Sequence, residues 1–89
     1  MKNLQDFRKE IDGVDLAVCK LIAKRFEITK RVGIYKLKNR LKVEDRKREA
    51  EIMESLNKTA KRLKLNPIML RKIFKLIISE TKKNHKKVK

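Results

Sequence analysis

From Leu4 to Lys36 apolar residues recur at alternating gaps of three and four. Leu4, Ile11, Val18, Arg25 and Val32 stand seven apart, and Phe7, Val14, Leu21, Ile28 and Tyr35 form a second set three residues behind the first. An a/d heptad sustained this long marks one helix with a seam made for another helix. Gly13 and Gly33 fall inside it. Each costs about 1 kcal/mol relative to Ala, and the unbroken period outweighs them. At 1.5 Å per residue the predicted helix, about residues 4–38, is roughly 50 Å long.

Asn39 to Val43 breaks the period and reads as a loop. A second helix is expected over about 45–64, with Asp45 as N-cap and Ile52, Met53, Leu56, Ala60 and Leu63 as its apolar stripe. Asn66-Pro67 restarts the chain, Asn capping and Pro taking the first helical position. A third helix over about 66–85 carries Leu70, Ile73, Phe74, Ile77, Ile78 and Thr81 on one face. The Lys-rich tail, 82–89, is expected to fray. Two Gly and one Pro exclude a turn-rich all-β chain. The predicted fold class is all-α, with three helices in one domain over 1–89.

With 89 residues the chain builds a thin core. One cysteine, Cys19, and one histidine, His85, exclude an intrachain disulfide and a four-ligand zinc site. Stability must then come from packed helices or a second subunit. The second and third helices, roughly 28 and 30 Å long, cannot cover a seam of the first helix's length. Its uncovered part would be an apolar stripe of the kind that soluble monomers avoid. The expected state is a two-fold homodimer, paired through the first helix.

Charge points to the partner. Lys and Arg number 27 against 11 Asp and Glu, a formal +16, which predicts anionic ligands. No apolar run approaches the ~20 residues of a membrane span. No apolar segment follows the N-terminus as in a secretory signal, so the expected setting is the cytoplasm. Arg25 occupies an a position, where a guanidinium needs a partner because it cannot deprotonate. Lys36, eleven residues on, lies about 20° from Arg25 around the helix and ~16 Å along it. Arg8 is about 100° off that face and better placed to serve the pocket of a second subunit. Asp45, Arg48 and Glu49 open the second helix, and Thr81 and His85 sit one turn apart on the third. Together these residues predict a helix-walled pocket rich in Arg and Lys, with a carboxylate and two neutral donors. Such a pocket suits a small molecule with two carboxylates and a hydroxyl.

In this order and on this helical pattern, the residues resemble the chorismate mutases of the all-helical class. The elements are Arg8 followed by Ile11-Asp12 and Asp15, then Arg25, then Val32-Gly33-x-x-Lys36. Val43-x-Asp45-x-x-Arg48-Glu49 and Phe74-x-Leu76-Ile77-Ile78-x-x-Thr81 follow, so the resemblance covers about residues 4–85. It implies an intertwined homodimer with two active sites, each completed by one residue of the other subunit. The implied activity is the pericyclic rearrangement of chorismate to prephenate, toward phenylalanine and tyrosine, without metal or organic cofactor. By resemblance, Arg25 and the partner subunit's Arg8 bind the substrate carboxylates, and Arg48 helps hold the carboxylate end. Lys36 donates to the ether oxygen. Glu49 and the backbone at Asp45 hold the ring hydroxyl, and Thr81 stands at the family's small hydroxyl position. The second ether-oxygen donor is usually Gln or Glu. Here His85 takes that place, with Lys82 and Asn84 as neighbouring alternatives.

Two other functions compete. A nucleic-acid-binding helical module would explain the charge. Four aromatic residues, Phe7, Phe26, Phe74 and Tyr35, and no known recognition signature disfavour it. An isochorismate-pyruvate lyase shares the fold and a similar pocket. The intact Asp45-x-x-Arg48-Glu49 element and the minimal chain favour the mutase.

Overall fold

The computed structural model describes residues 1–42 and 44–88. Val43 of the second-helix element and Lys89 of the tail lie outside the described residues. The described residues form three helices: α1 (Leu4–Lys38), α2 (Arg46–Leu63) and α3 (Pro67–Val88).

Local chemistry fixes each start. Asn3 caps α1 through a reciprocal box: its Oδ1 accepts from the Asp6 N–H at 3.0 Å, and its own N–H donates to Asp6 Oδ2 at 3.1 Å. Asp45 caps α2 by accepting from the Arg48 N–H at 2.9 Å. Asn66 caps α3 by accepting from Ile68 and Met69 at 2.9 and 3.2 Å, with Pro67 as the first helical residue. The two ends before the connections share one device. Leu41 N–H reaches back to the Lys36 carbonyl and Arg40 N–H to Leu37; Leu65 reaches Ala60 and Lys64 reaches Lys61. Both are Schellman closures, which place the residue after the helix in the left-handed region. Those residues are Arg40 (φ 54°) and Lys64 (φ 58°), neither of them glycine.

The tail departs from expectation. Residues 82–88 continue α3 instead of fraying. His85, buried at 7% exposure, bonds the Thr29 carbonyl of α1 and ties these turns down, while Lys82 lies within ion-pair distance of Glu49 and Glu44.

α3 packs on both other helices, while α1 and α2 make no backbone approach among the described residues. Leu56 and Ala60 of α2 are buried, and Arg71 of α3 donates to Asn57 of α2. Leu63 and Ile73, assigned above to the apolar stripes, stay 56% and 42% exposed. The stripe that α1 shelters is Ile22, Arg25, Phe26, Thr29, Gly33 and Lys36. That stripe lies beside the a/d seam and overlaps it at Arg25. The seam itself stays open, with Phe7, Ile11, Val14 and Leu21 between 50% and 66% exposed. The chain measures 58 × 25 × 15 Å with a radius of gyration of 16.5 Å. A compact chain of this length would have about 12 Å.

The left-handed residues give a stability test. An L side chain there costs about 1–2 kcal/mol, and glycine avoids that steric penalty at some cost in entropy. Arg40→Gly and Lys64→Gly are each expected to stabilise by about 0.5–1 kcal/mol. Urea denaturation should show a higher midpoint at unchanged slope; a lower midpoint would contradict the assignment of strain.

Candidate active site

Three segments converge where α3 meets α1: the C-terminal half of α1, the start of α2 and the last turns of α3. They enclose a pocket of ≈ 340 Å³, within the range of small-molecule sites. α1 supplies Arg25, Ile28, Thr29, Val32 and Lys36 at helical spacing, and α3 supplies Ile78, Thr81, Lys82 and His85. Glu44, Asp45, Arg48, Glu49 and Ile52 close the third side. A broader recess of ≈ 880 Å³ along the α1–α2 connection shares Lys36 and Glu44 with the pocket.

Seven of the eight residues singled out from sequence therefore line one pocket: Arg25, Lys36, Asp45, Arg48, Glu49, Thr81 and His85. Arg8 does not. It lies on the exposed N-terminal part of α1, seventeen residues before Arg25, or about 25 Å along the helix.

Arg25 is the electrostatic centre. Its Nη1 donates to Thr81 Oγ1 at 3.5 Å, and the Thr81 hydroxyl in turn donates to the Ile77 carbonyl at 2.9 Å. Its guanidinium carbon stands 5.9 Å from the centre of the Phe74 ring, a cation–π distance. Burial pushes its pKa below the ordinary value, and the nearby charge of Arg48 adds to the effect. A guanidinium does not release its proton at neutral pH, so the strain persists as unfavourable electrostatics. A bound anion would relieve it.

His85 is held from two sides. Its Nε2–H donates to the Thr29 carbonyl at 2.8 Å. Its ring lies on Gly33, where a Cβ would come within 2.8 Å of Cδ2 and 3.1 Å of Nε2. In the neutral ring this bond fixes the Nε2–H tautomer and leaves Nδ1 an acceptor; a second donor requires the imidazolium.

Lys82 is the site residue whose contacts sequence reasoning missed. Its Nζ lies 2.9 Å from Glu49 Oε1 and 3.5 Å from Glu44 Oε1, and Glu44 also lies 3.8 Å from Arg46. The hydrogen bond to Glu49 is the main cause that raises its pKa above the ordinary lysine value. One signal was available: Lys82 precedes His85 by three, a spacing that puts both on one face of the helix. In a Lys-rich run that signal does not stand out. Among the described residues, no group of three or more His, Cys, Asp or Glu could hold a metal ion, and no helix is long and apolar enough to cross a membrane.

Comparison with known proteins places this geometry. A family model for chorismate mutase type II matches residues 7–86. A chorismate mutase of Methanocaldococcus jannaschii is 30% identical over 82 residues, 92% of this chain and 83% of that protein. A bifunctional chorismate mutase/prephenate dehydratase of Buchnera aphidicola subsp. Schizaphis graminum is 33% identical over 86 residues, 97% of this chain and 22% of that protein. The T-protein of Enterobacter agglomerans is 33% identical over 78 residues, 88% of this chain and 21% of that protein. The chain thus spans about a fifth of the length of these two longer relatives.

The Gly33–His85 contact makes a prediction about packing. No heavy atom lies within 4 Å of a Cβ at Gly13, so Gly13→Ala should stabilise by about 1 kcal/mol through helix propensity. Gly33→Ala gains the same propensity but drives a methyl into the imidazole, and should fall short of Gly13→Ala by about 1–3 kcal/mol. In a His85→Ala background that deficit should largely vanish. An equal deficit in both backgrounds, read by chemical denaturation, would exclude the ring as its cause.

Proposed function

We propose, because the chain belongs to the chorismate mutase type II family, that this pocket rearranges chorismate to prephenate on the route to phenylalanine and tyrosine. Residues 1–89 then act as one mutase domain, in the cytoplasm. The observation that carries the reading is the convergence of Arg25, Arg48 and Lys36 on one pocket, with Arg25 held at an electrostatic cost. A dianion is the ligand that such a pocket accepts best.

Chorismate carries two carboxylates and a ring hydroxyl. In the rearrangement a C–O bond breaks as a C–C bond forms within one molecule. Electrons shift in a ring, and no proton, metal or organic cofactor is needed. Negative charge grows on the ether oxygen as its bond stretches. Two demands follow: a flexible substrate must be held in its reactive shape, and fixed donors must meet the growing charge. Arg25 and Arg48 clamp carboxylate, with Phe74 and Thr81 fixing the Arg25 guanidinium. Lys36 donates to the ether oxygen. Its carbonyl already accepts from Leu41, which fixes the backbone that carries this side chain. Glu49 and the backbone at Asp45 hold the ring hydroxyl. His85 is the second donor. Because its Nε2–H is engaged by Thr29, it donates through Nδ1 as the imidazolium, or after its ring leaves Thr29.

The working unit is a homodimer. The open seam supports this, with apolar a and d positions exposed from Leu4 through Leu21. A second copy of α1 laid along that seam would bury them. Arg8, outside its own pocket, completes the partner's site. Incubation with chorismate and with isochorismate tests the reading. Prephenate from chorismate is expected; pyruvate released from isochorismate without prephenate formation would assign the lyase reaction instead.

Two mutational outcomes are expected. Arg8→Ala and Lys36→Ala homodimers should each lose nearly all activity, and refolding them together should restore up to one working site per mixed dimer. No recovery would exclude a trans role for Arg8. Lys36→Ala should act mainly on kcat, losing about 2.7–4 kcal/mol of barrier lowering, because its donor matters most as charge develops. Arg25→Lys should act mainly on KM, because a point charge replaces a bidentate clamp. Steady-state kinetics separate the two, and wild-type kcat in Lys36→Ala would remove Lys36 from the chemistry.

A further inference from the structure

We propose that Lys82 is a positioning residue of this site: by donating to Oε1 of Glu49 it orients that carboxylate and leaves Oε2 to accept the substrate's ring hydroxyl. The inference rests on the mutase reading above and deepens it. Lys82 lies on the pocket wall beside Thr81, and its ammonium reaches across to the first turn of α2. There it contacts Glu49 at 2.9 Å and, more loosely, Glu44 at 3.5 Å. The bond to Glu49 raises the lysine's pKa, so the ammonium stays charged at neutral pH.

The need for such a residue follows from the other cations. Glu49 shares its pocket with Arg25, Lys36 and Arg48. A carboxylate free to turn among them would pair with one of the cations that the substrate carboxylates require. Lys82 holds it on the α3 side by a charge-assisted bond, leaving the Arg25 and Arg48 guanidiniums to the dianion. The pair is half-exposed, 40% for the Lys82 side chain and 29% for Glu49. Pairs of that kind contribute little to stability, so loss of positioning and loss of fold can be read separately.

The test is a double-mutant cycle on the full chain with chorismate as substrate. Lys82→Met should raise KM about tenfold, the equivalent of about one net hydrogen bond to the substrate hydroxyl, with kcat within about threefold of wild type. Lys82→Arg should keep KM within about twofold, since it restores a donor of the same charge. In a Glu49→Gln background, Lys82→Met should change KM no further. The thermal midpoint of Lys82→Met should move by less than about 4 °C. Lys82→Gln offers a second neutral variant should the Met chain fail to fold. Wild-type KM in both neutral variants would overturn the proposal. So would an equal rise in KM in both Glu49 backgrounds, which would mean that Lys82 touches the substrate directly. A wild-type chain that leaves chorismate unchanged would overturn the mutase reading, and the role of Lys82 with it.

Discussion

Where α3 meets α1, an imidazole rests against a residue without a side chain. His85 reaches the Thr29 carbonyl at 2.8 Å because Gly33 leaves room for its ring. That contact joins the last turns of α3 to α1, beside the Arg25–Thr81 and Lys82–Glu49 contacts. The same residues form the wall of the pocket. Among the described residues the buried apolar side chains are Leu56 and Ala60, so tertiary packing and site construction draw on one small set of contacts. A disturbance at Gly33 therefore acts on both. The usual separation between a core that can be repacked and a site that cannot is narrow here.

α1 divides its surface between two tasks. The stripe Ile22, Arg25, Phe26, Thr29, Gly33 and Lys36 faces α3 and the pocket. The a and d positions stand beside it, and those from Leu4 to Leu21 remain open. Arg25 belongs to both sets, which explains why a heptad otherwise filled with apolar residues has a guanidinium at one a position. The residue breaks the seam where the helix passes from its open apolar edge to the pocket. Its stem can lie along apolar surface while its head serves the pocket.

This division also determines what could be read in the sequence. The helices were legible because caps and periods are local: Asn3, Asp45 and the Asn66-Pro67 pair mark their starts, and the heptad marks the length of α1. The helical bounds fall within three residues of expectation at every end. Seven candidate site residues meet because each has a distinctive type or a fixed spacing from another. The sheltered stripe of α1 was not legible, because the stronger a/d pattern lies beside it and obscures it. The order of residues 82–88 was hidden for a different reason. In a Lys-rich segment nothing marks the one lysine that has two carboxylates across the groove, or the histidine whose packing depends on a glycine in another helix.

The surplus of cations then has a physical reading beyond solubility. Arg25 carries a desolvation cost and repulsion from Arg48. That arrangement also joins α1 to α3, since the Arg25 guanidinium reaches the Thr81 hydroxyl and the Phe74 ring. The proposed dianion would offset that cost, because each carboxylate would meet a charge already desolvated and oriented. Acidic groups sit at the same mouth, but Asp45 is committed to the α2 cap and Glu49 to Lys82, so their charges are directed away from the clamp. Binding of the proposed dianion would then stabilise the folded chain by linkage. The thin α1–α3 contact would gain most from that, because Arg25 and Thr81 both line the pocket and join the two helices.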